Sequence, residues 1–118
     1  MALVDYNLPE QYKEVLSFSV DYATTQTSLE IAPAVAGKRA VVLGAVLGAS
    51  GGAWTVQFKS SAADLTGNIP LADGGAMSFL LGDGFVVKGA SGLAMQVDLT
   101  RAAGDLDGVI FYAYETVL

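Results

Sequence analysis

The chain has 118 residues, of which 53% are hydrophobic and only 15% charged; this is the length of one domain, and the composition excludes a disordered chain. Six basic and twelve acidic residues give a net charge of −6, and there is no cysteine and no histidine. The sequence therefore excludes disulfides, thiolate metal sites and histidine-based catalysis, and the low charge indicates that part of the surface contacts something other than water.

Residues 1–14 show no regular apolar period, and Pro9 disfavours regular strand pairing. We interpret them as an extended N-terminal arm, separate from a domain over residues 15–118. Too many large apolar side chains lie in this arm for a solvated tail, and we predict that they bind a partner surface: Leu3, Val4, Tyr6, Leu8 and Tyr12. In the alternative interpretation, the arm folds back and covers the core of its own domain.

The first strand signal is the alternation of apolar and polar residues over 16–22, which places Phe18 and Val20 in the predicted core. A shorter strand is predicted over 28–32. Residues 38–49 are apolar on both faces, with Leu43 on the face assigned to the core. A buried helix is the alternative for this segment, but the internal glycines and the valines favour a strand that is covered on both sides.

The segment 53–60 gives the clearest alternation, with Trp54, Val56 and Phe58 on one face. Because only the turn-forming residues 50–52 separate it from the strand at 38–49, we predict a hairpin. No apolar run approaches the length needed to span a bilayer, so we expect no membrane partner. The basic residues are scattered, so we expect no nucleic-acid partner: Lys13, Lys38, Arg39, Lys59, Lys88 and Arg101.

Further strands are predicted over residues 65–69, 76–81, 85–88, 92–100 and 108–118, with turns or loops at 73–75 and 101–108. Met95, Val97 and Phe111 complete the predicted core. Short strands at this spacing, joined by glycine-rich turns, are typical of a sandwich or barrel. The predicted fold is all-β: a single antiparallel, jelly-roll-like β-sandwich of about eight strands, preceded by the arm.

Asp105-Leu106-Asp107-Gly108 is the nearest approach to a metal motif, but its glycine and Glu115 do not fit the spacing of a twelve-residue calcium loop. A turn is the favoured interpretation, and a metal held by Asp105 and Asp107 stays open. We expect no cofactor. With histidine, cysteine and the phosphate-binding loops absent, we also expect no enzymatic activity.

Two kinds of aromatic residue remain as candidates for binding. Trp54 lies on an apolar face and is better explained as core. Tyr112 and Tyr114 lie on the second apolar face of the last strand, and that face must meet another sheet, a neighbouring subunit or a ligand. We assign both tyrosines to a subunit or partner interface.

Three further stretches are informative as whole patterns: VAGKRAVVLGAVLGASGGAWTVQFKS (35–60), LTGNIPLADGGAMSF (65–79) and GVIFYAYETVL (108–118). Through them, about two thirds of the chain resembles small β-sandwich structural proteins of tailed bacteriophages. Proteins of this kind serve as capsid decoration (cement) proteins, head fibres or fibre tips, and are commonly trimers. The resemblance implies a homotrimer on the surface of a virion, bound to the major capsid protein.

The first functional interpretation is therefore a decoration protein of a phage head, with the arm and the two tyrosines as contacts. The alternative is a receptor- or carbohydrate-binding tip of a phage fibre or spike, with Tyr112, Tyr114 and Trp54 as candidate contacts. Burial of these aromatic side chains would weaken the alternative, whereas an exposed aromatic cleft would support it.

Overall fold

The computed structural model describes residues 14–61, 63–79 and 87–117. All regular structure in these ranges is β-strand, and no helix in them is long and apolar enough to cross a membrane. The strands are β1 (Leu16–Tyr22), β2 (Gln26–Ala32), β3 (Lys38–Ser50), β4 (Trp54–Ser60), β5 (Ala63–Asp64), β6 (Ile69–Leu71), β7 (Ala76–Phe79), β8 (Val87–Lys88), β9 (Met95–Arg101) and β10 (Asp105–Thr116).

Two antiparallel sheets pack face to face. Sheet A has the order β1-β10-β3-β7, with β8 also paired to β3; sheet B has the order β2-β9-β4-β5, with β6 also paired to β4. The strands β5 and β6 follow one another along β4, and β7 and β8 do the same along β3. If β5 and β6 are counted as one interrupted strand, and β7 and β8 as another, each sheet has four strands. The order of these eight strands is that of a jelly roll. The predicted all-β sandwich is confirmed.

The predicted hairpin between β3 and β4 is wrong. β3 lies in sheet A between β10 and β7, whereas β4 lies in sheet B beside β9. Residues 51–53 therefore cross from one sheet to the other. A Gly-Gly turn reverses the chain in either case, so the local signal cannot distinguish a hairpin from such a crossing.

A β-bulge in β3 changes which side chains face the core. Phe111 pairs with Gly44 and Tyr112 with Val42, so Leu43 is an extra residue in β3. Ala45 and Leu47 face sheet B, as does Val42 on the other side of the bulge. The prediction that inward and outward side chains alternate without interruption over residues 38–49 is therefore wrong. The one inserted residue shifts the side chains beyond it to the opposite face of the strand.

The main core contains most of the side chains assigned to it from the sequence. Val20, Trp54, Val56, Phe58, Met95 and Val97 are buried in one cluster between the sheets, and Phe18 packs against it. Two of the assigned side chains lie outside this main cluster. Leu43 is buried in a second, small cluster with Val41 and Ala113 on the outer side of sheet A, and Phe111 is half-buried on that same side. The bulge places Leu43 there, while Ile110 takes the inward position on β10.

Some boundaries also differ from the predicted ones. Residues 65–68 are not strand, and strand lies on either side of them as β5 and β6. The expected turn at Asp105–Gly108 is instead the start of β10, which pairs with β3 from Asp105 onwards. Gly108 has φ +149 inside this strand, and a Cβ there would overlap the backbone oxygen of Val46. The glycine permits a close approach of two strands rather than a turn.

Candidate interaction surface

The sandwich has two different ends. Loops at residues 23–25, 51–53, 72–75 and 102–104 lie together at one end, because the strands that they join are antiparallel and in register there. Four aspartates lie at this end, and we name it the acidic end: Asp21, Asp73, Asp105 and Asp107. The loops at 33–37 and 89–94 and residue 117 lie at the opposite end, which we name the apolar end.

Three of the four large hydrophobic side chains that are exposed in the described residues lie at the apolar end: Val35 (36%), Leu93 (41%) and Val117 (36%). Backbone hydrogen bonds hold these segments around Gly37 and Lys38. The Lys38 N–H donates to Val35 O (3.1 Å), the Gly92 N–H donates to Lys38 O (2.7 Å), and the Val117 N–H donates to Gly37 O (3.0 Å). The exposed Lys38 is therefore part of a fixed apolar surface.

A charged group borders this surface on sheet A. Arg39 Nη2 lies 2.7 Å from Glu115 Oε1, and Lys88 Nζ lies 3.4 Å from Glu115 Oε2. The register places Glu115 opposite Arg39 on neighbouring strands. One carboxylate thus contacts two cations at the border of the apolar end.

Hydrogen bonds connect the loops of the acidic end. Its loops are built mainly from alanine, glycine and threonine, and Ala23, Ala53 and Ala72 are exposed. The Gly51 N–H donates to Asp73 Oδ1 (3.0 Å), and the Arg101 N–H donates to the Thr25 hydroxyl (3.0 Å). Small side chains and fixed backbone give a surface on which the larger side chains of another molecule can pack.

Asp21 and Asp107 form a pair of carboxyl groups at this end. They are directly opposite in the pairing of β1 with β10. The hydrogen bond to Asp21 raises the pKa of Asp107 above its usual value of 3.8, and desolvation and the negative charges of Asp21 and Asp105 raise it further. The folded protein therefore holds the proton of Asp107 more tightly than an isolated aspartate does. Within the described residues, no group of three or more potential metal-binding side chains is present.

The two tyrosines assigned to an interface pack against the main core between the two sheets. Their rings meet edge to face, with centroids 6.0 Å apart, and the Tyr114 hydroxyl donates to Pro33 O (2.7 Å). Both are half-buried. Burial, followed by the nearby Tyr112 and Glu30, raises the pKa of Tyr114 above its usual value of 10.0. Tyr114 thereby anchors the loop that carries Val35.

Trp54 is 1% exposed at the start of β4, and its Nε1 has no hydrogen-bond partner in the described part of the chain. It therefore forms no part of an exposed aromatic cleft. The arm residues Leu3, Val4, Tyr6, Leu8 and Tyr12 lie outside the described residues. Their assignment to a partner surface stays a prediction.

Sequence reasoning did not find Val35, Leu93 or Val117. Leu93 was placed in a strand because it continues the alternation of Met95 and Val97, but β9 begins only at Met95. No local pattern marks the three residues, because they are far apart in the sequence. The fold brings their backbones together through residues 37 and 38.

No family model and no curated protein matches this sequence. Among solved structures, a chain from the Bacillus endospore appendages, described as a novel family of disulfide-linked pili, is similar over 89% of this chain and 88% of that chain, with a TM-score of 0.56 and 16% identity. A chain of the virus-like particle of the giant freshwater prawn Macrobrachium rosenbergii extra small virus matches over 84% and 78%, with a TM-score of 0.34 and 10% identity. At these identities, the first likeness shows a shared fold.

Proposed function

We propose that this protein is a non-enzymatic structural subunit that assembles with copies of itself, as a homotrimer, and decorates the outer surface of a bacteriophage capsid by binding the major capsid protein. The observation that carries the proposal is the use of nearly the whole described chain for one jelly roll of the kind found in the spore pilus subunit. The resemblance of residues 35–60, 65–79 and 108–118 to phage structural proteins supports the placement on a virion.

The side chains of the described residues fit this role better than catalysis or sugar binding. Binding and catalytic groups usually stand on loops held by a rigid scaffold. Here the loops at the acidic end are short and rich in alanine and glycine, and the tryptophan that a sugar would stack on is in the core. The pilus to which the fold is similar is disulfide-linked. This sequence has no cysteine, so its copies cannot be linked by disulfides.

Immunogold labelling tests the assignment. Antibodies raised against the purified protein are applied to particles released by the cells that encode it, and the particles are imaged by electron microscopy. We expect gold on the outer surface of capsids. Labelling confined to fibre tips, to pili or to soluble protein would contradict a decoration protein.

Light scattering on the purified protein tests self-assembly independently. We expect a mass of three chains at micromolar concentration, because the chain has low charge and an exposed apolar surface at one end. A stable monomer across the concentration range would contradict the homotrimer.

A further inference from the structure

We propose that residues 4–8 of one copy form a strand that pairs with the free edge of β1 in the next copy. This inference rests on the proposed self-assembly and deepens it, because it names the surface that receives the arm. In the described part of the chain, β1 is the outermost strand of sheet A and has a paired strand, β10, on one side only. An edge of this kind presents unpaired backbone N–H and C=O groups to an incoming strand.

Among the described residues, β1 is the one long and regular edge of the sandwich. Its seven residues pair with β10 without a register shift, and they include no proline, glycine, lysine or arginine. One edge of sheet B is β2, whose pairing with β9 is irregular at two places and whose Ser28 N–H donates to Asp98 Oδ1 (2.6 Å). At the remaining edges, the strands β5, β6, β7 and β8 have only two to four residues each. Short or bulged strands protect an edge, so β1 is the edge that is left open.

The side chains of β1 define what an added strand must supply. Phe18 and Tyr22 pack against the main core and Leu16 lies on the same face of the strand, yet all three are only half-buried. Ser17 and Ser19, on the outer face, are exposed. A strand added at this edge therefore needs apolar side chains on the core side and polar side chains on the outer side.

The arm contains a short segment with this pattern. The arm as a whole has no regular period, but residues 4–8 read Val-Asp-Tyr-Asn-Leu, in which apolar and polar side chains alternate strictly. Paired with β1, the valine, tyrosine and leucine cover its half-buried side chains, and the aspartate and asparagine lie beside its exposed serines. Pro9 ends the segment, because proline has no N–H for a further backbone pair.

The chain between this segment and β1 favours a neighbouring copy over the arm's own domain. If the arm returned to its own β1, residues 9–14 would form the turn of a hairpin. They contain no glycine, asparagine or aspartate, the residues that supply the positive φ angles of hairpin turns. Fully extended, these six residues span about 20 Å, which is enough to reach the β1 edge of an adjacent copy.

An exchange of arms closes around a rotation axis. Each copy gives one arm and receives one, and the arm leaves at the start of the strand that receives the arm of another copy. Donor and acceptor thus lie at one edge of the sandwich, so three copies can stand around a three-fold axis. In such a ring, every arm is bound and no β1 edge stays unpaired.

Chemical cross-linking tests the pairing directly, because the wild-type chain has no cysteine. Asn7→Cys is combined with Ser19→Cys on the outer face of β1, and a short bismaleimide, whose reach covers neighbouring positions of a strand, is added before denaturing electrophoresis. The matched control combines Asn7→Cys with Ser78→Cys, an exposed position on the same face of sheet A but on β7. Single-cysteine variants give the background, and circular dichroism verifies that each variant is folded.

We expect the variant with cysteines at 7 and 19 to give bands of two and three linked chains, and the variant with cysteines at 7 and 78 to stay at the background. A link within one chain, recognised by its single-chain mass, overturns the proposal in favour of an arm that folds back on its own domain. Equal linking in the two variants, or linking in neither, also overturns it.

Two lysine substitutions test the alternation in the arm. Tyr6→Lys places a positive charge on the face turned to the core, whereas Asn7→Lys adds the same charge on the outer face. We expect Tyr6→Lys to weaken self-association at least about tenfold in sedimentation velocity, because burying an unpaired charge is costly, and Asn7→Lys to change it less than about twofold. Equal effects of the two variants, or no effect of Tyr6→Lys, contradict pairing as a strand.

The outcomes separate the inference from the proposed function. A monomeric wild type contradicts the proposed self-assembly. An assembled wild type that fails the cross-linking test or the lysine test overturns the pairing with β1 and leaves the structural role standing.

Discussion

Trp54 is the largest fully buried side chain in the described part of the core, where it packs at the start of β4 opposite Leu71 and Arg101 in the strand pairing. We expect Trp54→Ala to lower the free energy of unfolding by about 3–5 kcal/mol, because it removes a large buried ring and leaves a cavity. Domains of this size have a total stability of about 5–15 kcal/mol, so the loss should be plain in urea denaturation followed by circular dichroism.

Trp54→Phe is the control for this prediction. It keeps an aromatic ring in the core and removes an indole N–H that has no described hydrogen-bond partner. We expect a loss of less than about 1.5 kcal/mol, since the smaller ring is offset by removal of an unsatisfied polar group. Equal stability of the alanine variant and the wild type would show that the indole is not a core residue.

The Asp21–Asp107 pair makes stability depend on pH. The pKa of Asp107 is raised in the folded protein, chiefly by the hydrogen bond to Asp21, so the folded state binds this proton more tightly than the unfolded state. Stability is therefore higher below the usual value of 3.8 and decreases as the pH rises through the raised pKa. Asp107→Asn removes the repulsion between the Asp107 carboxylate and the charges of Asp21 and Asp105. We therefore expect it to raise the melting temperature at neutral pH.

The gain from Asp107→Asn should shrink as the pH is lowered and be absent below pH 3.8, where the wild-type group is protonated in both states. Asp64→Asn is the comparison, because Asp64 lies opposite Lys59 and not opposite another carboxyl group. It should bring no gain at neutral pH. A melting temperature of Asp107→Asn below that of the wild type at pH 7 would contradict the proposed repulsion.

At the scale of a strand, Gly108 fixes how closely β10 approaches β3. An added Cβ would overlap the Val46 backbone oxygen and lie 2.9 Å from the Leu47 Cα, and φ is positive. We expect Gly108→Ala to cost about 1–3 kcal/mol, as for other insertions into a packed structure, measured by thermal or urea denaturation.

Gly67→Ala is the matched control, because no atom lies within 4 Å of its added Cβ. We expect its effect to be within about 0.5 kcal/mol. If Gly108→Ala were as stable as Gly67→Ala, the two strands could not be in the close contact that the structure shows at this point.

For the whole molecule, the decisive change is deletion of residues 2–12, which carry the five apolar side chains of the arm. We expect the β-sheet signal in circular dichroism to be retained while trimerisation, measured by light scattering, or capsid binding, measured by co-sedimentation, is lost. The physical reason is that an extended segment gains affinity by placing apolar anchors along a neighbour. Unfolding of the shortened chain, or assembly and binding like the full chain, would contradict this role.

The sequence by itself determined that the chain is all-β and where most strands lie. The alternation over 16–22 and 53–60 reports which side chains are buried on one face, and this is a local property of a half-buried strand. The same alternation predicted that Trp54, Val56 and Phe58 share one face of a strand, and all three are buried in the structure. The absence of cysteine and histidine restricted the available chemistry before any fold was known.

Only the tertiary structure decided which strands are neighbours and which surfaces are formed. The turn at 50–52 is compatible with a hairpin and with a crossing between sheets, and the crossing occurs because β3 pairs on both sides with β10 and β7. The bulge at Leu43 moved Leu43 out of the main core, since one extra residue reverses the faces. Val35, Leu93 and Val117 form one surface through hydrogen bonds between distant segments, and no local pattern in the sequence contains that information.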